Sequence, residues 1–292
     1  MSRCVLVTGA TGFLGTAISD VLAADGWTVI HCARRPPHED GRKWRSYDLT
    51  QSVPDTFLAD VDVVVHAGYI ERKHDPNAYA ANVAGTKQLI AAARAAAARF
   101  IFISSLSAGP AARSDYGRQK FAIEGLLDPK RDLIVRPGLV LGGGGIFGRL
   151  LGHVRSGLPI PLVDGGQQPL QTIHINDLTA AVRELVSAAA TGSVVLAETP
   201  AVPYASFFRE LATRAGVKTR LISVPSWLLL AFADTAAALR VPSPIDRDNV
   251  LGLLDMHYVE PTSTEALGLT RIRNFAESLD ALFAAPEESA RR

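Results

Sequence analysis

The sequence predicts an α/β protein in which a doubly wound parallel sheet is followed by a small, mostly helical C-terminal lobe. Short apolar segments alternate with longer segments of helical periodicity up to about residue 140, and this order is typical of a parallel sheet with helices on both faces. The first apolar segment ends in closely spaced glycines. Beyond residue 140, glycine- and proline-rich loops separate shorter helical segments, which favours a lobe built over the sheet.

The N-terminal segment predicts a Rossmann-like dinucleotide pocket. Cys4 to Val7 form an apolar strand, and Gly9, Gly12 and Gly15 follow it at the start of an amphipathic segment. Glycines let the backbone turn sharply and approach a pyrophosphate, and the helix that follows offers unpaired N–H groups to the phosphates. The strand, turn and helix context therefore supports a cofactor-binding function for this motif.

The other elements of the sheet follow in order along the chain. Apolar runs predict strands at residues 28–32, 44–48, 61–66, 100–103 and 133–136. Helical periodicity predicts long helices at residues 76–98 and 116–127 between the later strands. Because right-handed crossovers place such helices on both sides of the sheet, the resulting fold is doubly wound.

We expect two structural units. Residues 1–140 form the dinucleotide-binding domain, and residues 141–292 form a substrate-binding lobe, from which a segment at about 172–198 returns to the main sheet. Within that segment, Asn176 or Asp177 is a natural helix N-cap. The apolar window at 227–239 is too short to span a bilayer and contains Asp234, so it predicts a helix that lines a cleft or a subunit contact, with attachment to a membrane surface as an alternative.

Composition excludes several function classes. The formal net charge is +1, so neither nucleic acid nor an anionic membrane surface is expected as a general partner, and charge must act locally. Since the apolar window is too short, stable insertion into a membrane is not expected either. Cys4 and Cys32 lie in predicted strands, and no Cys/His cluster has metal-ligand spacing. They are typical of reduced core thiols, and the first strand starts too near Met1 for a signal peptide, so we expect a cytoplasmic protein without a metal.

A catalytic hypothesis comes from residues 104–120. Tyr116 and Lys120 are four residues apart and share one face of a predicted helix. A lysine cation beside a phenol stabilises the phenolate and lowers its pKa, which suits proton exchange near neutral pH. Upstream, an apolar strand ends in hydroxyls at Ser105 and Ser107, at the edge where open parallel sheets bind ligands; of these two, we favour Ser105.

With these motifs in this order, nearly the whole chain resembles the extended short-chain dehydrogenase/reductase superfamily, also called the NAD-dependent epimerase/dehydratase family. The resemblance implies that Ser105, Tyr116 and Lys120 are the active-site serine, tyrosine and lysine, and that Asn82 organises the helix and the lysine through hydrogen bonds. It also implies a set of cofactor-binding residues, which are Gly9, Thr11, Gly12, Phe13, Leu14 and Gly15 in the turn, Asp48 and Leu49 beside adenine, Ala67 and Gly68 after the fourth strand, Pro137 and Gly138 beside the nicotinamide, and Tyr116 and Lys120 themselves.

The end of the second strand predicts which cofactor is preferred. Proteins that bind NAD commonly carry an acidic residue there, whereas a basic residue accommodates the 2′-phosphate of NADP. This chain has Arg34 and Arg35 at that place, and its first carboxylates beyond them are Glu39 and Asp40. NADP is therefore the expected cofactor, with NAD as the alternative.

The expected function is hydride transfer between NAD(P) and a carbonyl or alcohol of a small-molecule substrate. The segment between Ser105 and Tyr116 is shorter than is usual for nucleotide-sugar enzymes of the family and lacks an acidic pair, which disfavours dehydratase chemistry but leaves epimerisation open. A second alternative is a non-catalytic dinucleotide-binding subunit or sensor, similar to accessory subunits of respiratory complex I. By family analogy, a homodimer is a further expectation.

Overall fold

The computed structural model describes residues 3–36, 41–71, 77–241 and 246–284. Its strands are β1 (Cys4–Thr8), β2 (Thr28–Ala33), β3 (Trp44–Ser46), β4 (Val63–His66), β5 (Arg99–Ile103), β6 (Leu133–Pro137), β7 (Leu139–Leu141), β8 (Ile160–Val163), β9 (Pro169–Leu170), β10 (Thr172–His174), β11 (Gly192–Leu196), β12 (Val202–Pro203) and β13 (Leu221–Val224). Its helices are α1 (Phe13–Ala24), α2 (Ala78–Ala95), α3 (Asp115–Glu124), α4 (Gly145–Arg155), α5 (Ile175–Ser187), α6 (Tyr204–Arg214), α7 (Ser226–Ala238), α8 (Arg247–Leu254) and α9 (Phe275–Ala284).

The central sheet has seven strands in the order β11-β6-β5-β4-β1-β2-β3. Each neighbouring pair is parallel; Val5, for example, is paired with both Val29 and Val63. The strand order reverses at β1, which lies between β4 and β2. Open sheets of this type bind ligands at that reversal, beyond the carboxyl ends of the strands. The predicted α/β fold with a doubly wound parallel sheet is confirmed.

Helices cover both faces of the sheet because successive strand residues point to opposite sides. On one face, Val5 and Val7 pack in a core with Ile18 of α1 and Val182 of α5. On the other face, Leu6 lies in a second core, together with side chains of α2 and α3 such as Leu89 and Ile123. The helix α3, which carries Tyr116 and Lys120, is therefore fixed to the sheet by its own apolar face.

The C-terminal lobe has a core of its own. Phe147 of α4, Phe207 and Phe208 of α6 and Phe275 of α9 are buried there, and their rings contact one another at centroid distances of 5.2 to 6.3 Å. Aromatic clusters of this kind bury a large apolar area per residue. The helices α7 and α8 add a smaller cluster, in which Leu229 and Val250 are buried with Val163 of β8.

The observed elements differ from the predicted ones mainly at their ends. The helix predicted at 76–98 runs from Ala78 to Ala95, and residues 72–76 lie outside the described residues. The helix predicted at 116–127 begins one residue earlier and ends at Glu124. Cys4 and Cys32 are buried free thiols in β1 and β2.

The predicted cap of the helix in the returning segment is wrong. The N-cap of α5 is His174, whose Nδ1 accepts from the backbone N–H of Asn176 at 3.1 Å. Asp177 lies inside the first turn and instead accepts from the backbone N–H of Arg273 at 3.0 Å. An imidazole nitrogen can accept a hydrogen bond as a carboxylate does, and the carboxylate of Asp177 is used to anchor the segment before α9.

The segment predicted at 227–239 forms the helix α7, and its side chains Trp227 and Phe232 are well exposed. Among the described residues, no helix combines the length and apolar character needed to cross a bilayer. The same residues hold no group of three or more His, Cys, Asp or Glu side chains that could bind a metal ion.

Candidate active site

The turn after β1 is shaped by its glycines. Gly9 has a φ of +66°, in the left-handed region that L side chains rarely adopt, and a Cβ there would lie 2.9 Å from backbone atoms of Gly68. The N–H of Gly12 closes the turn on the carbonyl of Gly9 at 2.8 Å. A Cβ at Gly15 would lie 2.1 Å from that same carbonyl oxygen. Side chains at these positions would clash with the backbone and force the tight turn open. The turn is therefore of the kind that lets a backbone approach a pyrophosphate, and it fits the predicted cofactor.

The predicted 2′-phosphate site is a pocket of about 400 Å³ lined by Thr11, Arg34 and Arg35. Both arginines are exposed at the end of β2. Glu39 and Asp40 lie outside the described residues. The pocket therefore combines guanidinium groups with the start of the glycine turn, which is the donor set that a ribose phosphate prefers.

Asp48 lies within the electrostatic influence of Arg34, but part of its carboxylate is bonded to Thr50. Its Oδ1 accepts from the N–H of Thr50 at 2.9 Å and from the hydroxyl of Thr50 at 2.7 Å. These bonds, together with the charge of Arg34, lower the pKa of Asp48. Next to it, Leu49 packs against the core under α2, and its carbonyl lies so close to Gly85 that a Cβ there would be 2.2 Å away.

A buried histidine braces the end of β4, next to the predicted cofactor residues Ala67 and Gly68. His66 Nδ1 is 2.6 Å from the hydroxyl of Thr8, and its Nε2 is 2.9 Å from the hydroxyl of Thr86 on α2. The Thr8 hydroxyl also accepts from the N–H of Gly68 at 3.0 Å. Burial lowers the pKa of His66 to about 3, so this histidine is a neutral bridge. It fixes Ala67 and Gly68 against the end of β1.

Two more predicted cofactor residues lie in tightly packed backbone. Gly138 donates its N–H to the carbonyl of Leu196 at 3.0 Å, and a Cβ at Gly138 would lie 2.6 Å from the carbonyl oxygen of Gln171. Pro137, which ends β6, is buried beside it. At the start of α1, Leu14 packs on the core, and Phe13 lies under the glycines of residues 142–145, where a Cβ at Gly142 would be 2.6 Å from the ring.

The Ser105 hydroxyl lies beside the Tyr116 phenol, close enough to lower the pKa of the tyrosine. The N–H of Ser107 donates to Ser105 Oγ at 3.1 Å, so the serine oxygen is already an acceptor and its proton is available for the phenolic oxygen. The close approach of α3 to this loop depends on Gly117, where a Cβ would lie 2.4 Å from the carbonyl oxygen of Ser107. At the helix start, Ser114 Oγ accepts from the N–H of Gly117 at 3.2 Å.

Lys120 extends from α3 into the core. Its Nζ donates to the carbonyl of Ile103 at 2.8 Å and lies 4.7, 5.6 and 5.8 Å from the ring centroids of Phe102, Tyr69 and Tyr116. Burial lowers the pKa of Lys120 to about 8, and the charge of Glu124 opposes this shift. Three aromatic faces and one carbonyl thus surround a cation that has little contact with water.

We expected Lys120 to lower the pKa of Tyr116, but the pKa of Tyr116 is raised in this structure. Burial raises the pKa of Tyr116 above its ordinary value, and the nearby Ser105 hydroxyl is the group that lowers it. The reason is that the phenol lies in an apolar environment, with its ring in edge contact with Tyr69 at 5.3 Å, and desolvation disfavours the phenolate. Tyr116 is accordingly a protonated hydroxyl at neutral pH.

Asn82 braces the site from α2 rather than contacting the lysine. Its Oδ1 accepts from the N–H of Ile70, and its Nδ2 donates to the carbonyl of Ile70 and to Gln119 Oε1, each at 2.9 Å. Asn82 was predicted to organise the helix and the lysine through hydrogen bonds. It does bond α3, through Gln119 next to Lys120. The described bond of the Lys120 ammonium, however, goes to the carbonyl of Ile103. Asn82 therefore positions the loop after β4 relative to α3.

A buried carboxylate behind the lysine was missed by sequence reasoning. Glu124 accepts from the hydroxyl of Ser104 at 2.6 Å and from Arg136 through Nε at 2.8 Å and through a second guanidinium nitrogen. Its i, i+4 spacing from Lys120 on the helix is the signal that could have revealed it. This network ties the ends of β5 and β6 to α3. The bracing residues His66, Tyr69 and Gln119 were also missed.

Comparison with known proteins agrees with this geometry. The family model for the NAD dependent epimerase/dehydratase family matches residues 5–196, which include all seven strands of the central sheet. The ceramide reductase of Caulobacter vibrioides is 32% identical over 235 residues, which cover 76% of this chain and 73% of that protein. The UDP-glucose 4-epimerase of Vibrio cholerae is 27% identical over 268 residues, covering 80% and 82% of the two chains.

Solved structures show the same fold at lower identity. The crystal structure of the human epimerase family protein SDR39U1 (isoform 2) with NADPH aligns with a TM-score of 0.74 and 21% identity, covering 97% of this chain and 100% of that one. At this level of identity the likeness supports the fold alone.

Proposed function

Since the chain belongs to the NAD-dependent epimerase/dehydratase family, we propose that it is a reductase that moves a hydride from NADPH to the carbonyl carbon of a small-molecule substrate. Its relatives include proteins named as reductases, a dehydrogenase and an epimerase, and it is an NAD(P)-dependent enzyme. The observation that carries the proposal is the placement of the Ser105 hydroxyl beside the Tyr116 phenol, next to the buried cation of Lys120.

In the proposed mechanism, the reduced nicotinamide, when bound, supplies the hydride. The residues that would hold the cofactor are the glycines of the turn after β1, the arginines at the end of β2, and Gly68 and Gly138 near the active-site loop. Tyr116 donates a proton to the substrate oxygen as negative charge develops there. Ser105 donates a second hydrogen bond to that oxygen, and Lys120 keeps positive potential beside the phenol when it becomes a phenolate.

The preference for NADP rests on Arg34 and Arg35 beside Thr11. A charge-assisted hydrogen bond contributes about 1.5–3 kcal/mol, so NADPH should bind roughly 10- to 100-fold more tightly than NADH. We expect Arg34→Ala to remove most of that difference in fluorescence titrations, whereas Arg220→Ala, which changes an exposed arginine of the lobe, should not. Equal affinities of the wild-type protein for the two cofactors would contradict this assignment.

Turnover on a panel of carbonyl compounds tests the reaction itself. The panel should contain ketones, aldehydes, long-chain keto lipids and keto sugars, because the relatives named above include a ceramide reductase and a UDP-glucose 4-epimerase. Oxidation of NADPH with one of these classes supports the proposal. Interconversion of a nucleotide sugar without net cofactor oxidation would favour the epimerase alternative, and tight NADPH binding without any turnover would favour a non-catalytic binding protein.

The remaining expectations stay proposals. We assign dinucleotide binding to residues 1–140 and substrate binding to residues 141–292, supported by the separate aromatic core of the lobe. A cytoplasmic location and a homodimer are likewise predictions, which cell fractionation and light scattering of the purified protein can test.

A further inference from the structure

Two carboxylates of the C-terminal lobe hold the N-terminal end of the helix that carries Tyr116. Asp248 of α8 accepts from the backbone N–H groups of Asp115 and Tyr116, the latter at 3.3 Å. Asp255, directly after α8, accepts from the N–H groups of Arg113 and Ser114 at 2.7 and 3.2 Å. Four consecutive backbone donors are thus satisfied by residues more than a hundred positions away in the sequence.

These contacts have a clear physical basis. The first N–H groups of a helix have no partner within the helix, and its dipole favours negative charge at that end. The local cap, Ser114 Oγ, satisfies the N–H of Gly117, while Asp248 satisfies the donors of Asp115 and Tyr116. Asp248 is thereby a second N-terminal cap for α3, supplied by another part of the chain.

The helix α8 is placed so that it can set the orientation of α3. Val250 is buried with Val163 and Leu229 in the small cluster of the lobe, which fixes the buried side of α8. Gly252 faces Ser114 closely, since a Cβ there would lie 3.9 Å from the Cβ of Ser114. An ion pair between Arg113 and Asp255 at 2.6 Å adds a side-chain contact across the same junction.

We propose that Asp248 is a positioning residue that sets the direction of the Tyr116 hydroxyl towards Ser105 by fixing the first turn of α3 to the substrate lobe. This inference rests on the proposed function, because it assigns Tyr116 as the proton donor. This junction couples the two parts of the protein. The lobe that we assign to substrate binding also fixes the helix that carries the proposed proton donor, Tyr116. Loss of Asp248 should therefore impair the chemical step more than cofactor binding, since the glycine turn lies on other elements.

Kinetics of Asp248→Ala, Asp248→Asn and the control Asp280→Asn test the proposal. The control removes an exposed carboxylate of the same lobe, on α9, whose described bond is to Arg214 at 3.1 Å. A misplacement of about 1 Å costs on the order of 100-fold in rate, so we expect Asp248→Ala to lower kcat about 10- to 100-fold, with the dissociation constant of NADPH changed less than about twofold. Asp248→Asn keeps an acceptor oxygen and should recover part of that loss. Equal kcat values for Asp248→Ala and the control would overturn the proposal.

Two measurements do not depend on turnover and so separate this inference from the proposed function. Amide hydrogen exchange at residues 115–117 should accelerate in Asp248→Ala and not in the control. The ¹⁹F signal of 3-fluorotyrosine placed at position 116 should shift or broaden in the same variant. If the wild-type protein reduces no carbonyl but both signals change, the function is wrong and the positioning contact stands. If neither signal changes, Asp248 does not position Tyr116, whatever the activity.

Discussion

Burial of Lys120 should make the stability of the protein rise with pH above about 8. The folded state lowers the pKa of this lysine from 10.5 to about 8. Below pH 8 both states carry the proton, and folding bears the cost of a buried cation. Between pH 8 and 10.5 the folded protein has released the proton while the unfolded chain retains it, so the free energy of unfolding increases by about 1.4 kcal/mol per pH unit. From pH 8 to 9.5 the gain is about 2 kcal/mol.

The test compares the wild-type protein with Lys120→Met, which has a similar length and no titrating group. Urea unfolding at pH 7.5 and at pH 9.5 should show that the wild-type protein gains about 2 kcal/mol relative to the variant over this interval. Other groups, such as the Cys32 thiol with its pKa raised to about 12, are common to both proteins and cancel. Lys87→Met, at an exposed position on α2, should follow the wild-type profile. If the wild-type and Lys120→Met profiles are parallel, the lysine is not a desolvated cation and the reasoning fails.

The remaining predictions concern the glycine turn after β1 and the hydrogen bonds of Asn82. Gly15→Ala should abolish NADPH binding in a fluorescence titration, because the new Cβ would lie 2.1 Å from the carbonyl oxygen of Gly9. The control Gly109→Ala should bind NADPH normally, because a Cβ there meets nothing within 4 Å. Normal binding by Gly15→Ala would contradict the described turn. Asn82→Ala should lower the free energy of unfolding by about 2–3 kcal/mol, since it leaves both backbone polar groups of the half-buried Ile70, and the buried Gln119 side chain, without this partner. A loss no larger than that of Gln88→Ala, at an exposed position of the same helix, would show that the brace is unimportant.

The sheet was predictable because its signals are local. The inner strands are apolar runs, such as Val63–His66, and the glycines after Thr8 identify the turn without reference to the rest of the fold. Helix ends were less predictable, because they depend on partners elsewhere. The cap of α5 illustrates this: Asp177 is a typical capping residue, but its carboxylate binds Arg273, and His174 caps the helix instead.

The support of the candidate site could not be predicted, because it consists of contacts between distant segments. The spacing of Tyr116 and Lys120 indicated a shared helix face, but not that the ammonium bonds the carbonyl of Ile103 or that burial outweighs its effect on the phenol. Nothing in the local sequence around Asp248 indicates that it meets residues 115 and 116. Such pairings depend on how the lobe packs on the sheet. A short stretch of sequence contains no information about that packing.

The exchange of Tyr116 for Phe tests the central claim most directly. The change removes one hydroxyl and keeps the ring contact with Tyr69, so the dissociation constant of NADPH should stay within about twofold. General acid catalysis contributes about 100- to 10,000-fold to rate, and kcat for the best carbonyl substrate should fall by at least about 100-fold. A variant that binds NADPH and still turns over at a rate comparable to that of the wild-type protein would show that Tyr116 is not the proton donor.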